Sequence, residues 1–342
     1  MRTTIILLIL ILTAQVFSQK STISIETNKN LEFLGYIIEQ GDPMGNDKNH
    51  PISAIINTYP ENKNNETLFK LFDLASDLDY STLTHLMYFL PELPLDKNFR
   101  ISNELASNLG FKSKSEQKKL NEIVIELNNF FDESNFEIIW KELSPYRKDI
   151  TSFLQINRPE SMVFEYMETF YQYKYKYYRI LPIMTLWPAG FGIRDVELNS
   201  AIFVMGPLNI NYDFNDEDSF NNLTIHEFGH SFVNHVVLKN KKQLQETKHL
   251  FVPIKESMIK QGYSNWNTCM IEHFVRAGEV IIRRLMGDNK QGEELLNEYA
   301  KNRNFVYLKN IVDHLSYYHL KKKYSYDVAV KLTLDNLSKV KN

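Results

Sequence analysis

Apolar residues recur at intervals of three and four positions along most of this chain, which is the spacing of amphipathic helices. The pattern predicts helices on both halves of the chain, over Asn65–Leu74, Tyr80–Phe89, Glu116–Phe131, Asn135–Leu143, Pro159–Arg179, Trp266–Met286, Glu293–Lys301, Asn304–Lys321 and Tyr326–Lys339. Prolines at positions 91, 94, 145 and 159 mark breaks between them. Helices therefore dominate the expected structure.

Three short β-rich runs interrupt the helical pattern. Ser21–Thr27 is a candidate strand near the beginning of the chain. Ile180–Trp187 and Ser200–Gly206 are apolar and β-rich, and residues 188–199 between them contain Gly and Pro, which predicts two strands joined by a loop. We therefore expect an α+β, predominantly helical fold with a small sheet at the centre of the chain.

The beginning of the chain has the features of a secretory signal peptide. Arg2 supplies a positive charge, Ile5–Leu12 is apolar, and small residues at Val16 and Ser18 resemble a cleavage site. The apolar run is much shorter than the roughly 20 residues of a membrane-spanning helix. We expect cleavage after Ser18, a mature chain that starts at Gln19 in the periplasm or outside the cell, and no stable membrane insertion.

Composition narrows the class of protein. The chain has 342 residues, of which 43% are hydrophobic and 24% charged, with a formal net charge of -3. These values are typical of a globular protein, and the absence of a concentrated basic stretch argues against nucleic-acid binding. Beyond the signal peptide at 1–18, we expect a mostly helical region at 19–155 and a second region at 156–342, with a soft boundary between them.

Cys269 is the only cysteine in the chain. An intrachain disulfide is therefore excluded, as is a zinc site built on paired thiolates. Histidines and carboxylates remain as possible metal ligands. We expect Cys269 itself to be a small buried residue on a helix.

A metal-binding motif, HEFGH, lies on the helix that begins near Asp218. His226 and His230 are four residues apart, so both imidazoles lie on one helical face and can reach the same cation. Glu227 follows the first histidine and is placed to take a proton from a water molecule. Imidazole ligands favour Zn²⁺ over Mg²⁺ or Ca²⁺. Gly229 costs about 1 kcal/mol in a helix interior, so we expect a close approach there.

This motif, preceded by an apolar strand, resembles the zincin metallopeptidases. The chain also resembles a family of secreted bacterial domains of unknown function that carry the same motif. The residues that carry the resemblance lie between Ile180 and Leu285. The resemblance implies zinc-dependent hydrolysis of a peptide or protein substrate. It also implies that Ser200–Gly206 is the sheet edge that binds the peptide as an added strand.

The third metal ligand decides the zincin subtype. The metzincin pattern needs Gly and His where this chain has Val233 and Val236. His235 is one residue out of register and is rotated away from the face shared by the two motif histidines. The resemblance then implies the gluzincin arrangement, with a glutamate from a second helix. The commonest gluzincin position falls at residues 248–250, where the chain has no glutamate.

Glu272 is the preferred third ligand. It lies among the apolar positions of the helix Trp266–Met286, and a carboxylate in such surroundings needs a metal, a cation or a proton. Arg276, one turn later, can support it as an ion pair. The alternatives that remain are His249, Glu279, Glu256 and His273. The predicted site thus contains Zn²⁺, His226, His230 and Glu272 as ligands, and Glu227 as the catalytic base.

Two further questions stay open at this level. Zincins often polarise the scissile carbonyl with a later Tyr or His, and Tyr307, His314 and Tyr318 share one helical face, although core packing is the preferred explanation for each of them. Two other functions also fit the sequence. One is a non-catalytic secreted binding or structural protein with a vestigial motif, and the other is a zinc hydrolase of a non-peptide amide.

Overall fold

The computed structural model describes residues 21–41, 53, 58–186, 190–209 and 212–340. The predicted signal peptide lies outside these described residues. Within them, no helix is long and apolar enough to cross a membrane.

The first half of the described chain is almost entirely helical. Strand β1 (Thr22–Ile25) is followed by a run of helices: α1 (Lys29–Gly41), α2 (Glu66–Ala75), α3 (Tyr80–Phe89), α4 (Asn103–Asn108), α5 (Lys114–Glu133), α6 (Phe136–Glu142), α7 (Ser144–Ile156) and α8 (Ser161–Tyr171), with a 3₁₀ turn at Pro60–Asn64. Polar caps define where several of them begin. The Asp79 carboxylate accepts a hydrogen bond from the Thr82 amide at the start of α3. Ser113 and Glu116 form a capping box at the start of α5.

Three further strands complete a four-stranded sheet. They are β2 (Tyr177–Pro182), β3 (Gly190–Asp195) and β4 (Ser200–Met205), and the strand order is β1-β2-β4-β3. β1 and β4 are both parallel to β2, whereas β3 is antiparallel to β4. β3 is therefore one edge of the described sheet.

Helices again make up the rest of the chain. They are α9 (Glu217–Leu238), α10 (Lys241–Thr247), α11 (Lys255–Lys260), α12 (Trp266–Leu285), α13 (Asn289–Asn297), α14 (Leu308–Leu315) and α15 (Tyr326–Leu337), with a 3₁₀ segment at Lys248–Ile254 and π-helical turns at Glu298–Asn302 and Ser316–Lys321. The expectation of a mostly helical α+β fold, with a small sheet before the motif helix, is confirmed.

The sheet lies between two hydrophobic cores. Alternate residues of β4 point to opposite faces, so Phe203 and Met205 join the core formed by α8, α9 and α12, whereas Ile202 and Val204 join the core of the N-terminal helices. Every residue of β4 is buried as a result. The sheet also pairs β1, from the first of the two expected regions, with β2, from the second. The division of the chain near residue 155 stays a prediction.

The helix expected over Pro159–Arg179 is shorter than its aromatic pattern suggested. α8 ends at Tyr171 because Gln172 adopts a left-handed backbone conformation with a φ of 54°. Tyr173 therefore lies beyond the helix, and Tyr177 begins β2. Aromatic residues suit strands as well as helices, so their spacing alone did not distinguish the two structures.

The expected loop at residues 188–199 contains the strand β3, and this changes which strand is the sheet edge. Ser200–Gly206 was expected to be the exposed edge, but β4 is paired on both sides, with β2 and with β3. The edge strand next to β4 is β3 instead. Its glycines weaken the strand signal in the sequence, and their presence has a structural reason.

β3 crosses the motif helix α9 at a distance that only glycine permits. A Cβ atom on Gly192 would lie 2.0 Å from the backbone oxygen of Glu227 and 2.6 Å from the Cβ of His230. A Cβ atom on Gly190 would lie 2.3 Å from the Glu227 carboxylate. The two glycines therefore let the edge strand lie directly against the motif residues.

Replacing Gly192 with alanine should separate β3 from α9. We expect Gly192→Ala to lower the free energy of unfolding by about 1–3 kcal/mol, the usual effect of overpacking a rigid contact. Urea denaturation of the two proteins measures this difference. Val196→Ala, at a position just beyond β3 that is 69% exposed, is the matched control and should change stability by less than about 0.5 kcal/mol. Equal stability of Gly192→Ala and the parent protein would contradict the packing described here.

Candidate metal centre

α9 presents two histidines side by side near the middle of its length. The helix begins after Asp216, whose carboxylate accepts a hydrogen bond from the Ser219 amide. His226 and His230 follow one turn apart, with ring centroids 5.0 Å apart and ring planes at 84° to each other. The expected helical face shared by the two imidazoles is confirmed.

α12 brings a carboxylate to the same point. Glu272 Oε1 lies 3.2 Å from His230 Nε2, and Glu272 Oε2 lies 3.7 Å from His226 Nε2. The three side chains each offer a ligand atom within 4.8 Å of the others and could hold a metal ion. Ligand atoms at zinc-bond distance in a tetrahedral arrangement are about 3.3 Å apart, so these separations fit such an ion with little movement.

Hydrogen bonds on the far side of each imidazole orient the two rings. His226 Nδ1 donates to Glu279 Oε1 at 2.5 Å, and the Tyr299 hydroxyl donates to Glu279 Oε2 at 2.6 Å. His230 Nδ1 donates to Asn234 Oδ1 at 3.0 Å. With both Nδ1 atoms occupied in this way, both Nε2 atoms are directed towards Glu272, which is how outer partners usually orient metal-binding histidines.

Arg276 supports Glu272 from the next turn of α12. The buried guanidinium lies 3.5 Å from Glu272 Oε2 and donates a hydrogen bond to the Tyr263 hydroxyl at 3.2 Å. Its charge also lies over the rings of Tyr299 and Phe305, at 4.4 and 4.8 Å. The ion pair that the sequence suggested for Glu272 and Arg276 is therefore present.

The charges of the centre keep Glu272 ionised in spite of its burial. Burial by itself would raise the pKa of this carboxyl, but His230, His226 and Arg276 together hold the pKa well below its usual range. Burial likewise opposes protonation of His230, but the neighbouring Glu272 raises the pKa of that imidazole to about 9. A cation placed between them would meet an ionised carboxylate.

Glu227 lies beside the group without joining it. Its Oε1 atom is 4.0 Å from His226 Nε2, and its buried Oε2 atom has no hydrogen-bond partner among the described residues. Burial raises the pKa of Glu227, against the effect of the two nearby histidines. A buried carboxylate with a free oxygen and a raised pKa is suited to accept a proton.

The other ligand candidates lie elsewhere. His249 is exposed, and its ring nitrogens contact backbone carbonyl oxygens. Glu256 is also exposed and pairs with Lys260. His273 donates to the Cys269 carbonyl and points into the core. Glu279 contacts His226 Nδ1, so it orients that imidazole and lies outside the group.

The three candidates for polarising a carbonyl have other partners. The Tyr307 hydroxyl donates to the Leu250 carbonyl, and the Tyr318 hydroxyl accepts from the Asn336 amide. The His314 ring packs near Tyr318, with centroids 6.1 Å apart. These contacts agree with the core-packing explanation that the sequence favoured. Cys269 is buried, as expected.

Tight packing between α9 and α12 holds the two halves of the centre together. Tyr171, from α8, lies between the helices at two glycines. A Cβ atom on Gly278 would be 2.1 Å from the Tyr171 hydroxyl oxygen, and one on Gly229 would be 3.4 Å from it. Gly229 is also near α12, because a Cβ atom there would be 3.3 Å from Val275 Cγ1, which is a tight contact and not a clash.

A cleft of about 680 Å³ leads away from His230 between the N-terminal helices and the edge strand. Gly192 and Arg194 of β3 lie along one wall, together with His235 of α9. Helices α3 and α4 form the other wall. The volume of the cleft is in the range of ligand-binding sites in proteins.

Comparison with protein families shows to which family the chain belongs. The model of a domain of unknown function, DUF4932, matches residues 98–328, well over half of the sequence. The chain belongs to the DUF4932 family. This match confirms the resemblance to a domain family of unknown function, and it spans the entire candidate centre. No curated protein and no solved structure matches the chain.

Removing Glu272 should abolish retention of the metal. A site with two protein ligands binds zinc far more weakly than one with three, so we expect Glu272→Ala to lose zinc on dialysis while keeping its helical content. Elemental analysis and circular dichroism measure the two properties. His249→Ala should retain zinc like the parent protein. Loss of zinc from His249→Ala and retention by Glu272→Ala would exclude the proposed ligand set.

Glu279 should contribute to metal affinity without binding the metal. Glu279→Gln removes the charge that His226 Nδ1 contacts, so we expect zinc affinity to fall by about 10–100-fold, the usual effect of losing an outer partner. Competition with a chromogenic chelator measures the affinity. The exposed Glu256 provides a control, because Glu256→Gln removes a carboxylate charge far from the group and should leave affinity unchanged. An unchanged affinity in Glu279→Gln would argue against this role.

Proposed function

We propose that this protein is a secreted zinc-dependent metallopeptidase of the gluzincin-like type. The observation that carries the proposal is the position of the Glu227 carboxylate, buried beside His226, His230 and Glu272 and with an oxygen left free. Metal-binding groups alone are compatible with a structural site. A carboxylate next to the ligands, available as a base, is what hydrolysis requires in addition.

The donor set favours zinc. Two imidazole nitrogens and one carboxylate are a usual zinc combination, and they are too few oxygens for calcium or magnesium. Three protein ligands also leave a position open, as catalytic zinc sites do, whereas structural sites are closed by four. Zinc bound here would supply polarisation of the substrate carbonyl and activation of a water molecule.

Glu227 performs the proton transfers of the proposed reaction. Its carboxylate takes a proton from the water that attacks the carbonyl carbon of the peptide bond, and later gives that proton to the nitrogen of the leaving amine. The raised pKa of Glu227 assists both steps, because a base that is too weak does not accept the proton and an acid that is too weak does not return it. The two carboxylates near the histidines thus have separate roles.

The edge strand suggests how a peptide would be held. β3 is at the end of the sheet order and pairs with β4 on one side. Its glycines lie against Glu227 and His230. A substrate in an extended conformation can add to the edge through main-chain hydrogen bonds, which brings its backbone past the motif. The proposal therefore assigns the peptide-binding role to β3.

The location outside the cytoplasm is proposed from the sequence. The features of residues 1–18 support export. Strand β1 begins at Thr22, shortly after the expected cleavage site. A peptide or protein encountered in the periplasm or outside the cell is then the expected substrate.

Substitution of the base should separate metal binding from catalysis. Glu227→Gln keeps the size and shape of the side chain but does not accept a proton. We expect zinc content and melting temperature close to those of the parent protein, and peptide hydrolysis reduced by at least about a hundredfold. Elemental analysis, thermal denaturation and cleavage of an unfolded protein such as casein measure the three properties.

The comparison of the two proteins also tests the other interpretations. If neither protein hydrolyses a peptide in the presence of zinc, the metallopeptidase proposal fails, and amide-containing compounds other than peptides become the substrates to assay. If Glu227→Gln is as active as the parent protein, a different residue is the base. Hydrolysis by the parent protein that survives removal of zinc by a chelator would exclude the metal-dependent mechanism.

A further inference from the structure

One face of β3 continues the candidate centre into the cleft. Because side chains alternate along a strand, Gly190, Gly192 and Arg194 share the face that is turned to α9. The two glycines lie against Glu227 and His230, as described above. Arg194 is the next residue on this face of β3. Nearby, the Ser231 hydroxyl of α9 donates a hydrogen bond to the Ile193 carbonyl of β3. Arg194 therefore lies on the wall of the cleft that begins at His230.

Arg194 brings a positive charge to the cleft, and it forms no ion pair with a carboxylate of the described residues. Its guanidinium lies 5.6 Å from the centre of the Tyr173 ring and beside the Tyr175 hydroxyl. The Nε atom is buried and has no hydrogen-bond partner among the described residues. Two other arginines on buried elements differ in this respect, since Arg179 pairs with Glu26 and Arg276 with Glu272.

The acidic residues near Arg194 in the described chain do not pair with it. Asp195 is on the opposite face of β3, where it accepts hydrogen bonds from the Tyr88 hydroxyl and the Leu198 amide. Glu104 and Glu197 also line the cleft, but both are exposed to solvent and neither is within ion-pair distance of Arg194 in the described chain. His235 faces the guanidinium, and burial together with this charge lowers its pKa to about 4. None of these groups in the described chain forms an ion pair with Arg194.

We propose that Arg194 binds a carboxylate of the substrate and so selects peptides that carry one close to the scissile bond. The inference rests on the proposed peptidase function and adds a substrate class to it. Arg194 is two residues beyond Gly192, or about 7 Å along the strand. That distance corresponds to one or two residues of an extended peptide. Arginine is well suited to the task because its planar guanidinium forms paired hydrogen bonds with a carboxylate.

A carboxylate at this position has two sources, the free C-terminus of a peptide and an acidic side chain. Three sets of N-acetylated alanine pentapeptides distinguish them. The first set has a free C-terminal carboxylate, the second is the same peptide as a C-terminal amide, and the third is the amide with Glu or Gln at one internal position. Hydrolysis is followed by mass spectrometry. The value of kcat/KM is compared within two pairs of peptides, the free acid against its amide and the Glu peptide against the Gln peptide.

The proteins compared are the parent, Arg194→Met, Arg194→Lys and Arg158→Met. Met keeps much of the length of the arginine side chain without its charge, and Lys restores the charge without the planar pair of donors. Arg158 is exposed and lies outside the cleft lining, so Arg158→Met controls for the loss of one positive charge. Circular dichroism and zinc content establish that each variant is folded and loaded.

The parent protein and Arg158→Met should prefer the carboxylate member of one pair by at least about tenfold in kcat/KM, as expected for a charge-assisted hydrogen bond. The preference should disappear in Arg194→Met and return in part in Arg194→Lys. A preference for the free C-terminus identifies that source, and a preference for Glu over Gln identifies the side chain. Equal cleavage of both members of every pair by the parent protein would overturn the inference while the peptidase proposal stands.

Binding provides a second measurement that does not depend on turnover. The same peptides are titrated into zinc-loaded Glu227→Gln with and without Arg194→Met, and the dissociation constants are measured by calorimetry. Carboxylate peptides should bind at least about tenfold more tightly than their neutral partners only when Arg194 is present. This result without hydrolysis by the parent protein would support the carboxylate subsite and refute the peptidase function. Equal binding of the two members would refute the subsite.

Discussion

The contact between α9 and α12 buries an unusual number of charged groups, and the rest of the site depends on how these groups are paired. His226 and His230 come from one helix, and Glu272, Arg276 and Glu279 from the other. A buried charge without a partner is very costly, so removing any one of them leaves its neighbours uncompensated. The set is therefore held in register by electrostatics as well as by packing. A metal ion would join an array whose orientation is already determined.

Steric constraints fix the positions of the elements around this array. Tyr171 fills the space between α9 and α12 at Gly229 and Gly278, and β3 lies on the opposite side of α9 through Gly190 and Gly192. The contacts at Gly190, Gly192 and Gly278 require the absence of a Cβ atom, whereas the one at Gly229 is only tight. Glycines that would weaken a helix or a strand in isolation thus determine how near α9, α12 and β3 are to one another.

The sequence predicted the parts of this arrangement that depend on local spacing. The two histidines four residues apart, and Glu227 beside them, follow from helix periodicity alone. Glu272 was also predictable, because a carboxylate among apolar positions needs a partner. Glu279 was weighed as a ligand, but its role behind His226 depends on the distance between two helices, which no local pattern reveals. β3 was missed because its glycines serve a contact with α9, and a strand signal depends on the side chains that glycine lacks.

The parallel pairing of β1 with β2 has a consequence for the order of folding. Thr22 is paired with Tyr177, so the sheet joins segments that are far apart in the chain, and β4 must also form before β3 has a neighbour. Contacts between distant segments form slowly, because closing a long loop costs conformational entropy before the contact stabilises it. The support on which α9 rests is thus completed only after more than half of the chain has been synthesised. Because α9 and α12 both follow β4 in the chain, His226, His230 and Glu272 are brought together only after every strand of the described sheet has been synthesised.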